Sequence, residues 1–124
     1  MNIDTEFSIL SDFILDNVSV LLKNIGEFHP FGVIIFQNKN PQVIISDDIS
    51  TDNAQKIKES QEYIIQRLNK LEITSGAVTY LVRYNEKDAV MLKIINLFSN
   101  GWVDLVLQYQ FLDGEIIYEE FISI

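Results

Sequence analysis

The sequence predicts an α+β protein, one domain over residues 1–124, in which two helices pack on a mainly antiparallel sheet in the order α-β-β-α-β-β-β(-β). Three observations carry that expectation. Apolar residues recur at intervals of three and four over residues 7–28 and again over 54–71, which is the helical period. From Ala77 onward the spacing changes to strict alternation, the period of a half-buried strand. The alternating runs are joined by short turn signals, Asn85-Glu86-Lys87-Asp88, Ser99-Asn100-Gly101 and Asp113-Gly114, which return each strand beside its predecessor. With 124 residues, 48% hydrophobic and 22% charged, the chain is long and apolar enough to bury a core.

The first helix carries its stripe on Phe7, Leu10, Ile14, Val18, Leu21, Ile25 and Phe28. Asp4, Thr5 and Glu6 offer caps and negative charge at its start, and Lys23 lies near its end, both favourable against the helix dipole. Ile9, Phe13, Leu15, Val20 and Leu22 widen the apolar face. A helix of that kind is either embedded in the fold, the reading to expect, or meets a second chain.

Gly26-Glu27-Phe28-His29-Pro30-Phe31-Gly32 is a structural joint. Gly26 suits the left-handed residue that ends a helix, and Pro30 biases His29 toward an extended backbone. Two apolar strands follow at residues 31–37 and 42–46, joined through Asn38-Lys39-Asn40-Pro41. Both are apolar on each face, so the pair is expected to be covered by helix on one side and by another element or subunit on the other. Asp52 and Gln55 have the spacing of a capping box at the start of the second helix. Ala54, Ile57, Ile64, Leu68 and Leu71 form its apolar stripe, and Ser75-Gly76 closes the connection. Strands then run over 77–84 and 89–98. After Trp102, Val103, Leu105, Leu107, Tyr109 and Phe111 face one way, and Asp104, Gln108 and Gln110 the other. A last strand over 115–124 is expected to bend near Glu119-Glu120.

Composition removes several functions. Nine basic against eighteen acidic residues give a formal charge of −9, which repels phosphate backbones and argues against nucleic acid; solubility is the first reading of that charge, and it permits a basic protein partner without demanding one. Without cysteine there is no disulfide, thiolate catalysis or cysteine-ligated zinc. No apolar run approaches the roughly 20 residues of a membrane span, and residues 1–6 lack the basic start and apolar run of a signal peptide. The expected setting is the cytoplasm, away from membranes.

The opening helix leading into the Gly26–Gly32 joint, with the later Asp88-Ala89-Val90, resembles a widespread set of small bacterial proteins with no assigned activity. Those proteins carry a Gly-Glu-Phe-Tyr-Pro-Phe-like joint in the same place. Here His29 takes the aromatic position, and the chain end lacks the Pro-Tyr of that set. The resemblance implies fold and bacterial origin, and no chemistry.

His29 is the only histidine, and in an extended path Glu27 falls on the same side of the chain, a spacing that a histidine–carboxylate base would use. No motif supplies a nucleophile or an oxyanion site, so a joint residue is the better expectation for His29. Asp47, Asp48 and Asp52 invite a calcium reading, but the alternating ligands, central glycine and final glutamate of an EF-hand are missing. There is no phosphate loop, dinucleotide fingerprint, Gly-x-Ser-x-Gly or His-Glu-x-x-His, so neither cofactor nor metal is expected and enzymatic activity is disfavoured. Three functions stay open. The first is a non-enzymatic protein-interaction module, of the immunity or accessory type, using exposed Trp102 and the acidic pair Glu119 and Glu120. The second is a ligand pocket or enzyme site between the first helix and the sheet, near Glu27, His29, Phe31 and Tyr80. The third is a homodimeric scaffold that buries Ile9, Phe13, Val20 or the first hairpin between chains.

Overall fold

Gly26 stops the first helix by taking φ +86°, the left-handed conformation, while its N–H donates to the Leu22 carbonyl at 2.9 Å. The structure is a computed structural model describing residues 3–36, 40–44 and 52–124. The turn expected at Asn38-Lys39 and the acidic Asp47 and Asp48 lie outside the described residues. Helix α1 (Ile3–Ile25) starts before Phe7 and ends short of Phe28, whose ring instead packs edge-on against Phe31 at 5.7 Å between centroids. Its buried seam is Leu10, Ile14, Val18 and Leu22, a row of i, i+4 neighbours. Leu22 therefore belongs to the core, Leu21 flanks it, and Ile25 is 67% exposed. Periodicity alone points to Leu21 and Ile25 for the end of the seam. Spacings of three and four are interchangeable in a pattern, whereas contact with a sheet selects one ridge.

Strands β1 (Phe31–Ile35) and β2 (Gln42–Ile44) precede helix α2 (Asn53–Asn69), and β3 (Ser75–Tyr84), β4 (Lys87–Asn96), β5 (Val103–Leu112) and β6 (Glu115–Ser123) follow it. They form one six-stranded sheet in the order β2-β1-β3-β4-β5-β6, antiparallel throughout. The expected α+β class and element order hold. Ser75 and Gly76 lie inside β3 and not in the connection. Two of the hairpin turns have two residues each: Asn85 and Glu86 both take positive φ between paired Tyr84 and Lys87, and Asp113-Gly114 does the same between Leu112 and Glu115. The β4–β5 connection is longer than the expected Ser99-Asn100-Gly101 turn, because β4 ends at Asn96 and not at Phe98 and β5 starts at Val103. Leu107 pairs with Phe121 and Tyr109 with Tyr118, so Gln108 faces both Glu119 and Glu120. The expected bend in the last strand is this β-bulge.

Helix α1 covers the sheet face that presents Val33, Ile35, Ala77, Val90, Leu92 and Ile94. Helix α2 lies on the other face, where Ile64 and Leu68 meet Ile34, Val78 and Ile95. That leaves β1 buried on both sides, as its continuous apolar run requires. The close approach of α2 depends on Gly76, since a Cβ there would lie 2.7 Å from Ile64 Cγ2. Farther along this face Ala89, Met91 and Val106 form a third cluster, packed by Tyr80, Val82, Tyr84 and Ile122. Among the described residues no helix is long and apolar enough to cross a membrane.

The ends of α2 differ from the capping-box expectation. Asp52 is the N-cap and accepts from the Ala54 N–H at 3.0 Å, but Gln55 donates to Glu59 instead of reaching back. At the other end Leu71, not a glycine, takes the left-handed position (φ 58°), and the Glu72 N–H closes on the Arg67 carbonyl at 3.0 Å. Leu71 is consequently exposed, as is Ala54, and the inner face of the helix is Ser60, Ile64 and Leu68.

Candidate functional site

The joint leaves α1 at Gly26 and enters β1 at Phe31, and the chain between them has grooves on both sides. One groove, about 460 Å³, lies between the last turns of α1, the joint, β2 and the first turn of α2. Leu21, Ile25, Phe28, Phe31 and Val43 make its apolar wall, and Asn17, Glu27, His29 and Lys56 are its polar members. Its size falls in the range of small-molecule sites. Asn17 is oriented by its amide N–H, which donates to the Phe13 carbonyl at 2.8 Å. Phe31 is buried at 7% exposure, whereas Ile25 and Val43 are 67% and 42% exposed, so the groove floor is fixed core and its rim is wetted hydrocarbon.

A second groove of about 480 Å³ lies across the joint, between Glu27–Pro30, the start of α2 at Asn53 and Ala54, and Tyr80 and Leu81 of β3. Glu27 and His29 therefore border both grooves, while Phe31 and Tyr80 line different ones. The expected single pocket is two. Nor are Glu27 and His29 a hydrogen-bonded pair: both are exposed, and no hydrogen bond joins them among the described residues. Tyr80 is half-buried, and burial pushes its phenol above the ordinary value, with Asp104 adding to the rise and Lys93 opposing it. Lys93 and Asp104 are cross-strand partners 3.0 Å apart, each largely removed from water. Asp104 is thus not one of the wet-face residues that alternation suggested.

The partner-surface residues also fall differently from expectation. Trp102 is half-buried against the cluster under α2. A tryptophan just after a turn does not report, from sequence, whether its ring folds onto the sheet. Glu119 and Glu120 are exposed at the bulge of β6, with Glu119 held by Lys87 at 3.1 Å. The apolar surface lies beside them. Of the eleven large apolar side chains exposed among the described residues, Phe111, Leu112, Ile117, Phe121 and Ile124 all belong to the β5–β6 hairpin and its end. Of the positions expected in self-association, Val20 and, on the first hairpin, Val43 are exposed, whereas Ile9 and Phe13 pack against the core and β1 is buried.

One end of the hairpin is anchored. Tyr118 and Ser19 of α1 share a hydrogen bond of 2.7 Å, and Lys23 pairs with Glu115 at 3.2 Å. Tyr118 stacks edge-on with Tyr109, which stacks in turn on Phe111. Burial raises the phenols of Tyr109 and Tyr118, the Ser19 hydrogen bond partly opposing it at Tyr118. Among the described residues no strand neighbours the outer side of β6. Among the described residues no three His, Asp or Glu side chains are placed to hold a metal ion. Comparison with protein-family models, curated proteins and solved structures gave no match to this chain.

Sequence reasoning missed Lys56 and Val43 at the groove and Phe111, Ile117 and Phe121 on the hairpin. The first two come from elements far from the joint in sequence. The hairpin residues alternate like core positions, and only the reach of α1 decides which of them is covered.

Proposed function

We propose that this protein is a non-enzymatic protein-interaction module that docks its partner along the β5–β6 hairpin. The observation that carries this reading is the concentration of exposed apolar side chains on a hairpin whose outer strand has an open edge. Unpaired N–H and C=O groups on such an edge favour addition of a strand, and apolar side chains on both faces of the hairpin supply contacts on either side of it. Phe111 and Phe121 lie on the face that α1 covers, and Leu112 and Ile117 on the opposite one.

Charge selects the partner. Antiparallel pairing of the full β6, Glu115–Ser123, with a second copy places Glu119 against Glu119 at the centre, a like-charge pairing that disfavours self-association. The bulge at Glu119–Glu120 also breaks the edge into two straight runs, a device that discourages indiscriminate strand addition. A basic segment with alternating apolar residues satisfies both features, and the formal charge of −9 favours its approach. The test is capture of a stoichiometric partner by the tagged chain, repeated with Phe121→Glu, Ile117→Lys and, as a surface control beyond the end of α2, Leu71→Glu. Partner loss in the two hairpin variants with retention in the control is the expected result. Equal capture by all of them refutes the assignment.

A further inference from the structure

We propose that the groove between α1, the joint and β2 binds a small apolar monoanion, an aliphatic or aryl carboxylate or sulfonate, whose charged group is held by Lys56. Five of the basic side chains among the described residues, Lys23, Arg67, Arg83, Lys87 and Lys93, are in ion pairs. Lys58 and Lys70 are exposed. Lys56 is different: it is half-buried, it lines the groove, and it has no ion-pair partner among the described residues. A partly desolvated ammonium beside hydrocarbon favours an anionic counterpart over water alone. Acidic residues outnumber basic ones two to one in the chain, yet among the described residues no carboxylate pairs with Lys56.

The rest of the lining sets the shape of the occupant. Leu21, Ile25, Phe31 and Val43 accept an apolar body, and the fixed floor at Phe31 orders one end of it. Glu27 borders the same groove at the joint and forms no ion pair with Lys56. A second anionic group at that end would meet its carboxylate, which restricts the ligand to one charge. The volume of about 460 Å³ suits a single small molecule and not an extended peptide. This site is separate from the β5–β6 hairpin and does not depend on what docks there.

The test uses two dyes with the same apolar body, anilinonaphthalene sulfonate and uncharged phenylnaphthylamine, titrated against the whole chain. The sulfonate is expected to bind at one site, and Lys56→Met to weaken it roughly tenfold or more, the range for loss of one charge-assisted contact. Glu27→Gln is expected to tighten it. The neutral dye should bind more weakly and be indifferent to Lys56→Met. Amide shifts on sulfonate binding should fall at Leu21, Ile25, Phe31 and Val43, and Phe121→Glu should leave the affinity unchanged. The proposal is overturned by absence of saturable sulfonate binding, by affinity indifferent to Lys56→Met, or by shifts centred on Phe111 and Phe121.

Discussion

Replacing Gly76 with alanine places a methyl 2.7 Å from Ile64 Cγ2 and 3.2 Å from both Cγ1 and Cδ1 of the same side chain. Ile64 is fully buried between α2 and the sheet, so it has no solvent to move into. Overpacking of this kind costs about 1–3 kcal/mol, partly offset by the roughly 0.5–1 kcal/mol that alanine gains over glycine inside a strand. Ile64→Ala alone opens a cavity and costs about 2–5 kcal/mol. In the double variant the methyl introduced by Gly76→Ala occupies part of the vacated space. The two changes should therefore couple favourably by about 1 kcal/mol or more, and the glycine backbone term cancels from that coupling because it enters both sides of the cycle. Urea unfolding measures it directly. With slopes of about 1–3 kcal/mol per molar, a coupling of that size is a readable displacement of the double variant's midpoint from the additive expectation. Additivity within about 0.5 kcal/mol would refute the claim that Gly76 is the contact that seats α2.

Further expectations follow from individual contacts. Lys93→Met strands Asp104, one of whose carboxylate oxygens is already buried without a partner, and should cost about 1–3 kcal/mol by denaturant melt, with Asp104→Asn restoring part of the loss. Tyr118→Phe removes the 2.7 Å contact with Ser19 and should cost about 0.5–1.5 kcal/mol, loosening the anchored end of the hairpin in amide exchange. Tyr80, Tyr109 and Tyr118 are all raised above 10.0, chiefly by burial, so the folded state holds their protons longer than the unfolded chain. Their contribution is complete below about pH 10 and is lost as pH rises through the folded-state values; a stability that stays flat through the tyrosinate absorbance titration contradicts this. Gly26→Ala meets open space but keeps a left-handed φ, and should cost about 1 kcal/mol with the α1 terminus fraying first.

The legible parts of the fold were those written in local chemistry. Asp113-Gly114 marks a two-residue turn by composition, Gly26 and Pro30 mark the end of α1, and the change from helical spacing to alternation separates α2 from β3. What the sequence concealed depends on distant partners. Leu21 and Leu22 are equivalent in a periodic pattern, and the sheet under α1 chooses Leu22. Gly76 resembles a loop residue next to Ser75, and only the packing of Ile64 onto it explains its place inside a strand. Phe111 and Phe121 alternate as core residues do, yet they are half-exposed on the hairpin farthest from β1. The joint was visible as a joint. Its two grooves were not, because Val43, Lys56 and Tyr80 arrive there from three separate elements.

Amide hydrogen exchange on the captured complex, compared with the free chain, tests the interaction assignment most directly. The β6 N–H groups that point away from β5 have no strand partner among the described residues and should become protected when the partner binds, while the joint at Gly26–Gly32 stays unchanged. Protection that appears along α1 or at the joint, with the outer edge of β6 exchanging as before, would contradict the account.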